Sequence, residues 1–169
     1  SGFDITVKMR AGSELNDFTQ QMILDTNVAD LPEFKIPIYV TMASDLEISG
    51  EGYAARADGT DAVRLGHVPR AEGVERTLRI HVRGNDRGQA DLRVVDVTPD
   101  FLVAEIGTPR ELNSGKVVEF PLEIRVPPDA PPLSYLGTAG HEPGHISIET
   151  GHPQVPRIEL DVRFVVHED

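Results

Sequence analysis

Apolar and polar residues alternate through most of this chain, and glycine and proline break the alternation at intervals. Ile5, Val7 and Met9 alternate with Thr6 and Lys8, and Met22 and Leu24 stand either side of Ile23. Phe34, Ile36, Ile38 and Val40 alternate with Lys35, Pro37 and Tyr39. Further runs of this kind lie at 46–48, 63–65, 78–82, 92–97, 102–106, 118–126, 146–148 and 158–166. A period of two places alternate side chains on opposite faces of a strand, so each run predicts a strand with one face toward a core. No segment sustains an apolar stripe at helical spacing with caps, and a helical turn or two is expected only around 11–17. Thirteen prolines and fifteen glycines separate the runs, at Asp58-Gly59, Pro127-Pro128 and Pro131-Pro132 among others. Short alternating strands with turn residues between them predict an all-β chain, an antiparallel sandwich of immunoglobulin-like type.

The runs also repeat. Shifted by 124 residues, 22–40 falls without a gap on 146–164. Leu24 then meets Ile148, Asp25 meets Glu149, Thr26 meets Thr150 and Pro32 meets Pro156, while Phe34, Ile36, Ile38 and Val40 meet Ile158, Leu160, Val162 and Phe164. Two positions of the window are identical, and the shift is about the length of one sandwich domain. The run at 5–9 takes the part of 122–126. This predicts that residues 1–43 are the last three strands of a partial domain and that 44–169 are a complete one. The apolar face of 22–40 would then lack its partners and should pack on the second domain or on another copy of the chain.

Composition narrows the function classes. Hydrophobic residues make up 39% of the chain and charged residues 26%, which marks a globular chain rather than a disordered one. The apolar set is aliphatic, with no Trp, and suits β-branched packing. A formal net charge of −12 repels phosphate backbones and anionic lipid, so neither nucleic-acid binding nor membrane insertion is expected. No apolar run approaches the length of a membrane span. The absence of cysteine removes disulfides, thiolate zinc sites and cysteine nucleophiles.

Four stretches of the second block resemble a known group. Val63-Arg64-Leu65-Gly66-His67-Val68-Pro69, followed by Arg76-Thr77-Leu78-Arg79-Ile80-His81-Val82, is similar to the opening strands of the bacterial domain-of-unknown-function 1573 family. That family is related to the ASH and PapD-like immunoglobulin folds. Leu92-Arg93-Val94-Val95-Asp96-Val97 resembles its next strand, although Thr98-Pro99-Asp100-Phe101 replaces the cysteines that often follow. Gly144-His145-Ile146-Ser147-Ile148-Glu149-Thr150-Gly151-His152-Pro153 through Pro156 resembles its closing strand and turn. The resemblance implies a module of a large exported bacterial protein, in the cell envelope or secreted, and it brings no catalytic residues with it.

One motif looks enzymatic. His141-Glu142-Pro143-Gly144-His145 matches the zinc-hydrolase pattern H-E-x-x-H letter for letter. In that chemistry a helix sets both histidines on one face and the glutamate polarises zinc-bound water. Here Pro-Gly occupies the interior and a strand follows at once, so the motif is expected to be a turn. Surface binding by His141 and His145 alone, or calcium at 58–61 or 85–91, are the weaker metal readings, and ordinary turn chemistry explains the acidic loops. No catalytic, cofactor or metal residues are therefore assigned, and no cofactor is expected. Ser49-Gly50 and Ser114-Gly115 read as turn pairs, and there is no nucleophile elbow or phosphate loop. The expected function is non-enzymatic: a structural or protein-binding module acting through strand edges or end loops, with homodimerisation by strand addition or swapping. The alternatives are a carbohydrate-binding domain using Tyr53, Tyr135 and Phe101, and the zinc hydrolase of His141, Glu142 and His145.

Overall fold

The computed structural model describes residues 4–7, 18–40, 44–55, 61–137 and 141–168. The chain divides into two compact units, Ser1–Ser44 and Asp45–Asp169. In the first, β1 (Phe18–Val28) and β2 (Leu31–Val40) pair antiparallel, with Met22 opposite Ile36 and Leu24 opposite Phe34. The third strand expected at 5–9 does not appear in residues 4–7, where Ile5 and Val7 are exposed. Alternation makes a strand only where a neighbour supplies ladder partners. Met9 and the helical turn expected at 11–17 lie outside the described residues.

The second unit opens with β3 (Leu46–Gly50), β4 (Tyr53–Ala54), β5 (Asp61–Pro69) and β6 (Val74–Val82). A 3-10 turn at Asn85–Gln89 precedes β7 (Arg93–Thr98), β8 (Val103–Ile106), β9 (Arg110–Leu112) and β10 (Val117–Val126). The chain closes with β11 (Ser134–Tyr135), β12 (Gly144–Glu149) and β13 (Arg157–His167). Each alternating run of 46–166 is a strand, so the all-β expectation holds. The short β4, β9 and β11 carry too few residues to show a period. Ser49 and Gly50 finish β3 rather than forming a turn, whereas Ser114 and Gly115 do lie in one, between β9 and β10.

One sheet runs β3-β6-β10-β8, with β9 also on β10, and the other runs β4-β5-β13-β12-β7, with β11 also on β13. All pairs are antiparallel except β5 on β13, which is parallel. The inward residues of both sheets, among them Ile48, Leu78, Ile80, Leu122, Ile124, Ile146, Ile148, Leu160 and Phe164, form one core in a sandwich-like arrangement. Full burial of each such side chain stabilises the fold by about 1.5–3 kcal/mol, which sums to the main favourable term.

Two bulges explain where alternation fails. In β5 the register slips between Arg64 and Gly66, so Leu65 is the extra residue and both Leu65 and Val68 face inward. Gly66 takes φ 80° there, a left-handed conformation that suits glycine. In β7 the slip falls at Val95, which is exposed, while Val94 and Val97 pack on the core at odd spacing.

Candidate functional site

The residues singled out by motif are not brought together. His141 and Glu142 are exposed in the irregular segment before β12, and His145 is the second residue of that strand. The strand turns His145 onto the outer face, where its Nε2 stands 2.8 Å from the Glu159 carboxylate. His152 is buried in the turn after β12. Its Nδ1 accepts from the Gln154 amide at 3.3 Å, and its Nε2 lies 3.9 Å from Asp45. A helix carrying both motif histidines on one face does not exist here, because Pro143-Gly144 begins a strand. Among the described residues no group of three or more His, Asp or Glu is placed to hold an ion. In the loop at 85–91, Asp86 accepts from the Gln89 side chain at 2.9 Å and Asp91 pairs with Arg93 at 2.8 Å. Of the other acidic loop only Asp61 is described, and its carboxylate accepts from the Tyr53 hydroxyl.

The aromatic candidates are packed rather than presented. Phe101 and Tyr135 are half-buried and sit edge-on, with ring centroids 5.9 Å apart, and Tyr135 stacks on the buried Phe164 at 4.8 Å. Burial raises the Tyr135 phenol above its ordinary value. Tyr53 is also half-buried. Loss of hydration, then the charge and hydrogen bond of Asp61, push its phenol well above the ordinary range. A flat exposed platform for a sugar ring is not what these side chains make.

A different feature emerges on the outer face of the first sheet. The register sets Glu47, His81, Glu119 and Arg110 in one row across β3, β6, β10 and β9. Glu119 is only 7% exposed although it points away from the core. His81 Nε2 lies 3.2 Å from its carboxylate, Arg110 Nη2 3.4 Å and Arg79 Nε 3.7 Å, while Arg83 pairs with Glu47 at 2.6 Å. The two arginines and the imidazole supply this carboxylate with polar partners in place of water.

That row ends at a cleft of about 540 Å³. Its floor is Leu92, Ile106, Val118 and Phe120, all packed into or against the core, and its rim carries Arg87, Asp91, Arg110 and Glu111. The cleft lies between the segment entering β7 and the β8–β9 edge. β7 ends its sheet, and β8 and β9 both lie on the last ladder of theirs, so each has an edge without a ladder partner among the described residues. Arg87 holds the near wall in place. Its Nε donates to the Gly115 carbonyl at 2.6 Å and its Nη1 to the Gly84 carbonyl at 2.7 Å, tying the 3-10 turn to the β9–β10 turn. On the far wall the Gly107 amide donates to the Pro121 carbonyl at 2.8 Å and sets the kink between β8 and β9. The volume is of small-ligand size, and the open strand edges offer main-chain donors and acceptors beside it. The ionisable side chains of the lining are Arg87, Asp91, Arg110 and Glu111. Sequence reading missed this site, because its residues come from three separated segments, 87–92, 106–111 and 118–120, that only the tertiary fold brings together.

No family model matches the chain, and no curated protein aligns with it.

Proposed function

We propose that residues 45–169 form an immunoglobulin-like module of a larger exported bacterial protein, and that this module binds an extended protein segment in the cleft between β7 and β8–β9. One observation carries the reading: an apolar floor lies open between the segment 87–92 that leads into β7 and the β8–β9 edge, which lacks a ladder partner among the described residues. A segment laid there gains main-chain hydrogen bonds from an edge and buries alternate side chains against Leu92, Ile106 and Val118. The order β3-β6-β10-β8 against β13-β12-β7 corresponds to the A-B-E-D and G-F-C order of immunoglobulin-type sandwiches, which supports that fold name. The resemblance at 63–82 and 144–156 supports the bacterial and extracytoplasmic setting. The role is one of binding and spacing, without a reaction. Arg110 would select for an acidic residue flanking the bound segment, since it is well exposed despite its contact with Glu119.

The test is to select extended peptides against the whole protein and titrate one into isotope-labelled protein. Amide shifts are expected at 93–98 and 103–112, and Ile106→Asp should weaken binding at least about tenfold by placing a charge on the floor. Selected peptides that perturb only other surfaces, or that bind the Ile106→Asp protein equally well, would refute the cleft as the site.

A further inference from the structure

The hairpin β1–β2 and the hairpin β12–β13 are the same device. Their registers coincide under the 124-residue shift: Met22 faces Ile36 as Ile146 faces Leu160, Leu24 faces Phe34 as Ile148 faces Ile158, and Asp25 faces Glu33 as Glu149 faces Arg157. The connecting turns match as well. The Thr26 hydroxyl donates to the Leu31 carbonyl and accepts from the Val28 amide at 3.2 Å; the Thr150 hydroxyl donates to the Val155 carbonyl and accepts from the His152 amide at 3.1 Å. Apolar alternation alone would give paired strands, but it would not reproduce one side-chain-to-backbone turn at the same offset.

The surroundings of the two hairpins differ. Ile146, Ile148, Leu160 and Val162 are fully buried in one core with Ile48, Leu78, Ile80, Leu122 and Ile124 of the facing sheet. The matching Met22, Leu24, Ile36 and Ile38 are only half-buried, and Phe34 is 46% exposed. A two-stranded ribbon of this kind is marginally stable alone in water. The buried hairpin also shows what its counterpart takes on its edges: β13 receives the parallel strand β5, and β12 receives the antiparallel strand β7.

We infer that the hairpin Phe18–Val40 is the closing hairpin of another sandwich and that it docks into a β-sheet protein segment lacking its own last two strands. That partner presents aliphatic side chains at every second position over Met22, Leu24, Ile36 and Ile38. It also lays a parallel strand on β2 and an antiparallel strand on β1. A second copy of residues 45–169 is a poor occupant, because β12–β13 already fills the matching place. The inference stands apart from the cleft and does not depend on it.

The test places a photo-reactive benzoylphenylalanine at Leu24 or Ile36 on the inner face, and at Ile23 or Lys35 on the outer face, in the full protein expressed in its own cell. Cross-links from the inner positions alone, mapped to a β segment with aliphatic residues at alternate positions, are expected. Leu24→Asp together with a probe at Ile36 should abolish them while leaving the unfolding midpoint of residues 45–169 unchanged. Equal yields from both faces, cross-links confined to a second copy of the hairpin or to residues 45–169, or no cross-link at all, would overturn the inference.

Discussion

Thr150 and Thr26 illustrate what one side chain decides. Each closes its turn by donating to a carbonyl five residues on and accepting from an amide two residues on, a local alternative to the ladder that suits a hydroxyl. Tyr53 decides a pH response. Burial and the neighbouring Asp61 carboxylate raise its phenol, so the folded protein holds this proton more tightly than the unfolded chain does. The stability it contributes is fully present below about pH 10 and is lost as pH rises past that value toward the folded one. Tyr135, raised by burial, acts in the same sense. Urea unfolding followed from pH 8 to 11 is therefore expected to show falling stability, with a shallower fall in Tyr53→Phe. An unchanged slope in that variant would refute the assignment. None of this was legible in the sequence, where Tyr53 and Asp61 stand eight positions apart and only the β4–β5 pairing joins them.

Among the elements, β5 shows how an irregular pattern becomes regular. Val63, Leu65 and Val68 cannot share a face of an unbroken strand, and the bulge at Leu65 with its left-handed Gly66 resolves the conflict. An added Cβ at Gly66 meets no atom within 4 Å, so Gly66→Ala should lose only about 1 kcal/mol, the cost of the backbone conformation. At Gly52, also in a left-handed conformation with φ 81°, the same Cβ would lie 2.4 Å from the Arg64 carbonyl oxygen. Gly52→Ala should therefore lose about 2–4 kcal/mol by pushing the β3–β4 turn away from β5. Equilibrium urea denaturation of both variants checks the order, and equal losses would show that the close approach is relieved without strain. The longer strands were legible because each buries one face. The bulges were not, since an extra residue reads in the sequence only as noise in the alternation.

In the whole molecule, the residues of the buried core all lie between Leu46 and Val166. The second unit thus carries its own hydrophobic stabilisation. Residues 45–169 prepared alone should unfold within about 1 kcal/mol of the same unit in the full chain, by urea titration followed through circular dichroism or amide signals. A much larger loss would mean that residues 1–44 contribute to its stability after all. Electrostatics act at this scale too. The chain carries a net −12, yet Arg79, Arg83 and Arg110 stand on one sheet face beside the cleft, paired there with Glu119 and Glu47.

The chain alone determined its all-β class and the places of its longer strands between 46 and 166, because burial on one face of a strand imposes a period of two on the residues themselves. It also determined that His141-Glu142-Pro143-Gly144-His145 is no helix, since Pro-Gly forbids one locally. Tertiary structure decided the rest. Which strands pair, where Glu119 meets Arg110, and that Leu92, Ile106, Val118 and Phe120 line one cleft all depend on contacts between distant segments. Such contacts leave no local trace, since each residue obeys only the pattern of its own strand. The repeat joins the two levels: alternation suggested it, and the shared register and threonine turns gave it a physical form.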